Sequence, residues 1–135
     1  MIPITGLQKK ESIEREVVIV SNLPKHDNLV LPLPTKIYSD SYFYIIMPLC
    51  NGGSLQNEII SRSKPYSEDE IYYIFYELIS GYKELYDKKI LHLDIKPANI
   101  LIHEGRYKLA DYGLSAVLGT KEANDVKGTI KYMCP

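Results

Sequence analysis

Apolar and polar positions divide the chain into a front of short extended pieces and a back that opens with one long helix. Residues 42–47, YFYIIM, are aromatic or β-branched almost throughout and predict a strand. Residues 28–38 alternate only loosely and carry Pro32 and Pro34, which lack backbone donors and reduce the segment to a short or edge strand. Asn51-Gly52-Gly53-Ser54 reads as a turn, and Ser54 can cap a short helix from Leu55 to about Ser61. Residues 67–88 carry the strongest helical signal. Ser67 and Glu70 have capping-box spacing, and Glu68, Asp69 and Glu70 suit the positive end of the helix dipole. Ile71, Ile74, Phe75, Leu78, Ile79, Tyr82 and Leu85 fall on a helical stripe, with Lys88 and Lys89 at the end where cations are favoured. Strands near 100–102 and 106–110, joined through His103-Glu104-Gly105, form a hairpin pattern. Residues 113–128 read as an irregular, partly mobile loop. Residues 8–21, QKKESIEREVVIVS, stay open: Val17–Val20 favours a strand, the charged lead-in favours a helix, and a continuous apolar run has no period to decide between them.

At 135 residues the chain is one domain or part of one. A net charge of −1 gives no general attraction to nucleic acid or anionic lipid, so neither is expected as a partner. Cys50 and Cys134 lack metal-ligand spacing and read as free thiols in a reducing compartment. The first ten residues have no apolar core of a signal peptide, and YFYIIMPLC is too short to span a bilayer. The expected location is cytoplasmic or nuclear, not secreted. With 12 Tyr, 2 Phe and no Trp, tyrosine must carry most aromatic packing, and its hydroxyls need partners.

Candidate chemistry concentrates in HLDIKPANIL, residues 92–101. Asp94 lies between Leu93 and Ile95, so its carboxylate is fixed at the edge of a core and can accept a proton from a hydroxyl. Lys96 can neutralise charge developing on a phosphate or oxyanion. Asn99 offers a hard carbonyl oxygen suited to magnesium, and Asp111, before the turn at Gly113, can supply a second. Any one of these alone is an ordinary polar loop residue. The ordered set, followed by a hairpin and then Asp111-Tyr112-Gly113, is a different matter.

HLDIKPANIL resembles the catalytic loop of protein kinases, and DYG resembles their magnesium-binding tripeptide. IIMPLCNGGSL is similar to the hinge between the kinase lobes, and GTIKYMCP, residues 128–135, to the end of the activation segment. The resemblance implies an α+β, two-lobe kinase-like fold, incomplete at both ends. Residues 8–49 would supply part of the small lobe with one helix and two strands, and residues 50–135 the hinge, two helices, catalytic loop and activation segment. It implies a serine/threonine kinase using ATP and magnesium on a Ser- or Thr-containing protein substrate. Asp94 matches the acceptor of the substrate proton, and Lys96 the residue that stabilises the transferring phosphoryl group. Thr129 matches a threonine that helps hold those two, and Asn99 and Asp111 match the magnesium ligands. Met47 matches the position behind the adenine pocket, and Pro48 and Cys50 the hinge residues whose backbones bond adenine. Leu101 matches the apolar residue under the ring. Glu16 matches the helix glutamate that pairs with a strand lysine, which moves residues 8–21 towards helix. His92 and Tyr112 match members of an apolar stack between the lobes.

Several positions depart from the family pattern. Leu93 stands where most kinases carry an Arg that grips a phosphorylated loop, so activation by that route is not expected, and Asp125 reads as a solvated charge. Tyr112 replaces Phe and adds a hydroxyl that costs about 1–3 kcal/mol if buried unpaired. The sequence shows no glycine-rich phosphate loop and no strand lysine; Lys9 and Lys10 lie only a few residues before Glu16. An alternative class follows from these departures: a short inactive pseudokinase acting as a nucleotide- or protein-binding module.

Overall fold

The computed structural model describes residues 2–3, 20–21, 23–33, 36–38, 42–123 and 128–133. Strand propensity at YFYIIM is realised in a three-stranded antiparallel sheet. Its strands are β1 (Ile2–Pro3), β2 (Lys36–Tyr38) and β3 (Tyr42–Ile45), with β3 in the middle. In register, Ile2 and Tyr38 both face Phe43, and Lys36 faces Ile45. The central strand ends at Ile45 rather than Met47; the next carbonyl, of Ile46, accepts the N–H of Leu33 at 2.8 Å. The expected strand over 28–38 is corrected to Lys36–Tyr38. Residues 28–30 run instead beside Leu109, with Leu109 N–H donating to Asn28 O and Val30 N–H to Leu109 O, both at 2.8 Å. Val20 and Ser21 are helical, while residues 8–19 lie outside the described residues.

Helix α1 spans Leu55–Ser61, and Ser54 Oγ accepts the N–H of Asn57 at 3.2 Å as its cap. Helix α2 spans Glu68–Asp87 behind a complete capping box: Ser67 Oγ accepts Glu70 N–H at 3.2 Å and Glu70 Oε2 accepts Ser67 N–H at 2.8 Å. Arg62 joins the two helices, donating to both Glu70 carboxylate oxygens at 2.8 and 2.9 Å. Neither helix is long and apolar enough to cross a membrane, and the same holds for every described helix.

The face that α2 buries overlaps the expected stripe in part: Ile74 and Leu85 are buried, and Leu78 and Tyr82 pack against the core. Ile74, Glu77, Gly81 and Leu85 are buried, whereas Ile71, Phe75 and Ile79 are 42%, 59% and 64% exposed. The helix carries apolar or aromatic residues on almost every side, so the expected stripe was wider than the one that packing chose. Gly81 lies in the chosen stripe because a Cβ there would meet Asn28 O at 2.7 Å.

Behind α2 come β4 (Ile90–Leu91), β5 (Ile100–His103), β6 (Arg106–Leu109) and β7 (Ala116–Val117). Strands β5 and β6 pair antiparallel across a two-residue turn, Glu104-Gly105, in which both residues have positive φ (50° and 76°). That turn suits the strand twist. The expected irregular loop at 113–128 is corrected in part: Ala116–Val117 pairs with Ile90–Leu91, and Lys121–Ala123 forms a 3₁₀ turn. A two-residue strand is too short to show a period. Residues 124–127, including Asp125, lie outside the described residues. The core collects Leu29, Leu55, Ile74, Leu85, Ile100, Leu109 and Tyr112, so helix, hairpin and front segment meet beside the loop at 92–99.

Candidate active site

The loop is held at both ends by short pairing, β4 before it and β5 after it. Pro97 opens a single 3₁₀ turn, Pro97–Asn99, where a missing N–H and a preset φ fit a first helical position. The turn returns the chain so that Asn99 comes back under Asp94, donating from Nδ2 to Asp94 O at 3.0 Å and to Asp94 Oδ2 at 2.9 Å.

Asp94 is buried, and its carboxylate is the centre of the cluster. Oδ2 also accepts Lys96 Nζ at 2.7 Å, and Oδ1 accepts the backbone N–H and the hydroxyl of Thr129 at 3.0 and 2.7 Å. Lys96 Nζ donates to Thr129 Oγ1 at 2.8 Å as well, so Lys96 bridges Asp94 and Thr129. Burial works against ionisation here. Hydrogen bonds from Lys96 and Thr129, with the Lys96 charge and Asn99, outweigh it and hold the carboxyl at about 2.

Thr129 reaches Asp94 because Gly128 precedes it. Gly128 has φ 111°, and a Cβ there would lie 2.4 Å from Leu93 O. Leu93 itself has φ 64°, and Asp111 has φ 63°. Such left-handed non-glycine residues cost of order 1–3 kcal/mol and concentrate at sites where geometry is over-determined. Leu93 therefore contributes a backbone bend, and its carbonyl bounds the space at Gly128.

Asn99 and Asp111 are tied by the main chain, since Ala110 N–H donates to Asn99 O at 2.9 Å. The amide hydrogens of Asn99 go to Asp94, and among the described residues no donor reaches its Oδ1. Asp111 is exposed; its Oδ1 accepts Gly113 N–H at 3.3 Å, and Oδ2 has no described partner. No group of three His, Cys, Asp or Glu able to hold a metal exists among the described residues. Two hard oxygens suit magnesium, which keeps most of its shell for water and phosphate.

His92 is buried beneath the loop. Its Nε2 bonds Ala110 O at 3.1 Å and its Nδ1 accepts Asp94 N–H at 3.3 Å. Burial lowers its pKa, so it is neutral with the proton on Nε2. Its ring lies 5.3 Å from that of Tyr112. The Tyr112 hydroxyl is paired, donating to Leu109 O at 3.0 Å, so the extra oxygen there does not stand unsatisfied.

The adenine-side candidates lie along one extended stretch. Met47 and Pro48 are exposed and Cys50 is half-buried, its thiol pushed up by burial. Gly52 N–H donates to Ile102 O and Ile102 N–H to Gly53 O, both at 2.9 Å, fastening this stretch to β5 beside Leu101. Gly52 is required there, since a Cβ would meet the Ile102 side chain at 2.8 Å. The structure thus brings Asp94, Lys96, Asn99 and Thr129 together, and puts Asp111 one residue from a bond to Asn99. Glu16 lies outside the described residues.

Sequence reasoning missed Glu77 and Asn28, two buried polar residues that grip β6. Glu77 had a signal, a charge within the apolar side of α2; Asn28 had none.

A family model described as the protein kinase domain matches residues 4–135. The chain belongs to the protein kinase family. Its α+β architecture is that of a kinase domain. Among similar kinases, the probable serine/threonine-protein kinase fhkD of Dictyostelium discoideum is 34% identical over 93% of the chain. The human serine/threonine-protein kinase Nek5 is 34% identical over 96%. A probable myosin light chain kinase of Dictyostelium discoideum is 35% identical over 93%. The kinase chain described here spans 17%, 19% and 36% of these relatives.

Proposed function

We propose that this kinase transfers the γ-phosphoryl group of ATP to serine or threonine hydroxyls of a protein substrate. The observation that carries the reading is the Lys96 bridge, 2.7 Å to Asp94 and 2.8 Å to Thr129. It places a cation beside a carboxylate that is ionised at any working pH. With a pKa of about 2, Asp94 is a weak base. Its work is to orient the attacking hydroxyl and take its proton late, when the oxygen has become acidic. Lys96 steadies charge on the transferring group, and Thr129 fixes the distance between the two. Asn99 Oδ1 and the Asp111 carboxylate would hold magnesium, which when bound neutralises phosphate charge. Backbone groups of Pro48 and Cys50 would orient adenine between Met47 and Leu101, while the glutamate matched by Glu16 has no strand lysine to pair with in this sequence. On this reading residues 8–49 belong to the small lobe and 50–135 to the hinge and helical lobe.

The test is Asp94→Asn in the intact protein. Turnover is expected to fall at least about 10³-fold, of the order seen when catalytic side chains are removed, while ATP affinity stays nearly unchanged. A tenfold loss of ATP affinity would contradict the role of Asp94. ATP binding with no transfer by the unmodified protein would favour a binding module instead.

A further inference from the structure

Among the described residues the buried polar side chains are Asn28, Glu77, His92, Asp94 and Asn99. Glu77 stands apart from the reacting groups, on α2, with a side chain only 4% exposed. Its Oε2 accepts Tyr107 N–H at 2.8 Å and its Oε1 accepts Arg106 Nη1 at 3.3 Å. Arg106 also reaches Asp27 at 3.6 Å, so the ion pair is part of a short chain of charges. From the other side, Asn28 Nδ2 donates to Tyr107 O at 3.0 Å. Both backbone groups of Tyr107 are therefore held by side chains outside the hairpin. A buried carboxylate is costly without such partners, and an apolar residue would fill the same space without that cost.

Tyr107 sits in β6, whose pairing with β5 sets where the two hairpin ends fall. Strand β5 starts immediately after Asn99, and β6 ends two residues before Asp111. Across those ends runs the bond from Ala110 N–H to Asn99 O. Helix α2 thus reaches both candidate magnesium oxygens through one acceptor and one hairpin.

We propose that Glu77 is a positioning residue that sets the placement of Asn99 and Asp111 for a magnesium-bound nucleotide. This rests on the reading of that pair as the metal site. What is needed from Glu77 is its acceptor oxygen on Tyr107; its charge toward half-exposed Arg106 is secondary, because solvent screens that pair.

The experiment compares E77Q, which keeps an acceptor, with E77M, which keeps the bulk but no acceptor, in the intact protein. ATP affinity is measured with magnesium and with EDTA, and hydrogen exchange is read at the Ala110 amide. E77M is expected to weaken magnesium-ATP binding about tenfold, leave binding in EDTA within twofold and speed Ala110 exchange at least tenfold. E77Q is expected to stay within twofold of the unmodified protein in all three. Equal weakening with and without magnesium, unchanged Ala110 exchange, or E77Q as damaged as E77M overturns the proposal. Should E77M not fold, E77D, which keeps the charge and withdraws the oxygens by one methylene, is read by the same criteria. An unmodified protein that binds ATP no better with magnesium refutes the metal reading of Asn99 and Asp111. Ala110 exchange then decides alone whether Glu77 holds the pair together.

Discussion

At Asp94 the donors on Lys96, Asn99 and Thr129 share one carboxylate, and the charge balance among them sets its chemistry. Its folded pKa, about 2, lies below the ordinary 3.8. The ionised group therefore contributes stability that is fully present above pH 3.8 and is lost as pH falls through 2. Carboxyl titration by NMR should show a midpoint near 2, with no contribution from Asp94 to the pH dependence of turnover between pH 5 and 8. A midpoint near 3.8 would mean that the Lys96 and Thr129 bonds do not form in solution. These residues differed in how legible they were. Asp94, Lys96 and Asn99 sit within six positions, and their residue types alone suggest phosphate and magnesium chemistry. Thr129 is 35 residues from Asp94, and only resemblance to a family pointed to it. Glu77 was passed over because a glutamate on a helix is normally solvated, and its burial depends on a hairpin that folds against it from 30 residues away.

Between elements, the decisive contact is the one that lets residues 128–129 lie against the loop at 93–94. Gly128 combines a φ of 111° with a space that ends 2.4 Å away at Leu93 O, so no side chain fits. Gly128→Ala should force the two segments apart, remove Thr129 from Asp94 and lower turnover at least tenfold, with ATP affinity within about threefold. Turnover within twofold of normal would show that Thr129 is not needed against Asp94. The capped helices and the hairpin were readable because their signals are local: Ser54, the Ser67–Glu70 box and the Glu104-Gly105 turn. The buried face of α2 was readable only in part, because Phe75 and Ile79 are as apolar as Ile74 and Leu85. What separates them is Gly81, where the backbone of Asn28 comes close. Pairing of Ile90–Leu91 with Ala116–Val117 was equally hidden, since two residues carry no period.

Over the molecule as a whole, one hydrophobic core links the front segment at 28–30, the hairpin and α2, and the reacting groups stand along its edge. Family identity was readable from short motifs because two of them, the loop at 92–99 and the segment holding Thr129, converge on one carboxylate, that of Asp94. The most direct test of the central claim is phosphoamino-acid analysis of a mixed peptide library incubated with the intact protein and magnesium-ATP. Phosphate on serine and threonine, none on tyrosine, and none at all with Asp94→Asn is the predicted result. Phosphotyrosine as the main product, or equal labelling by the Asp94→Asn protein, would contradict it.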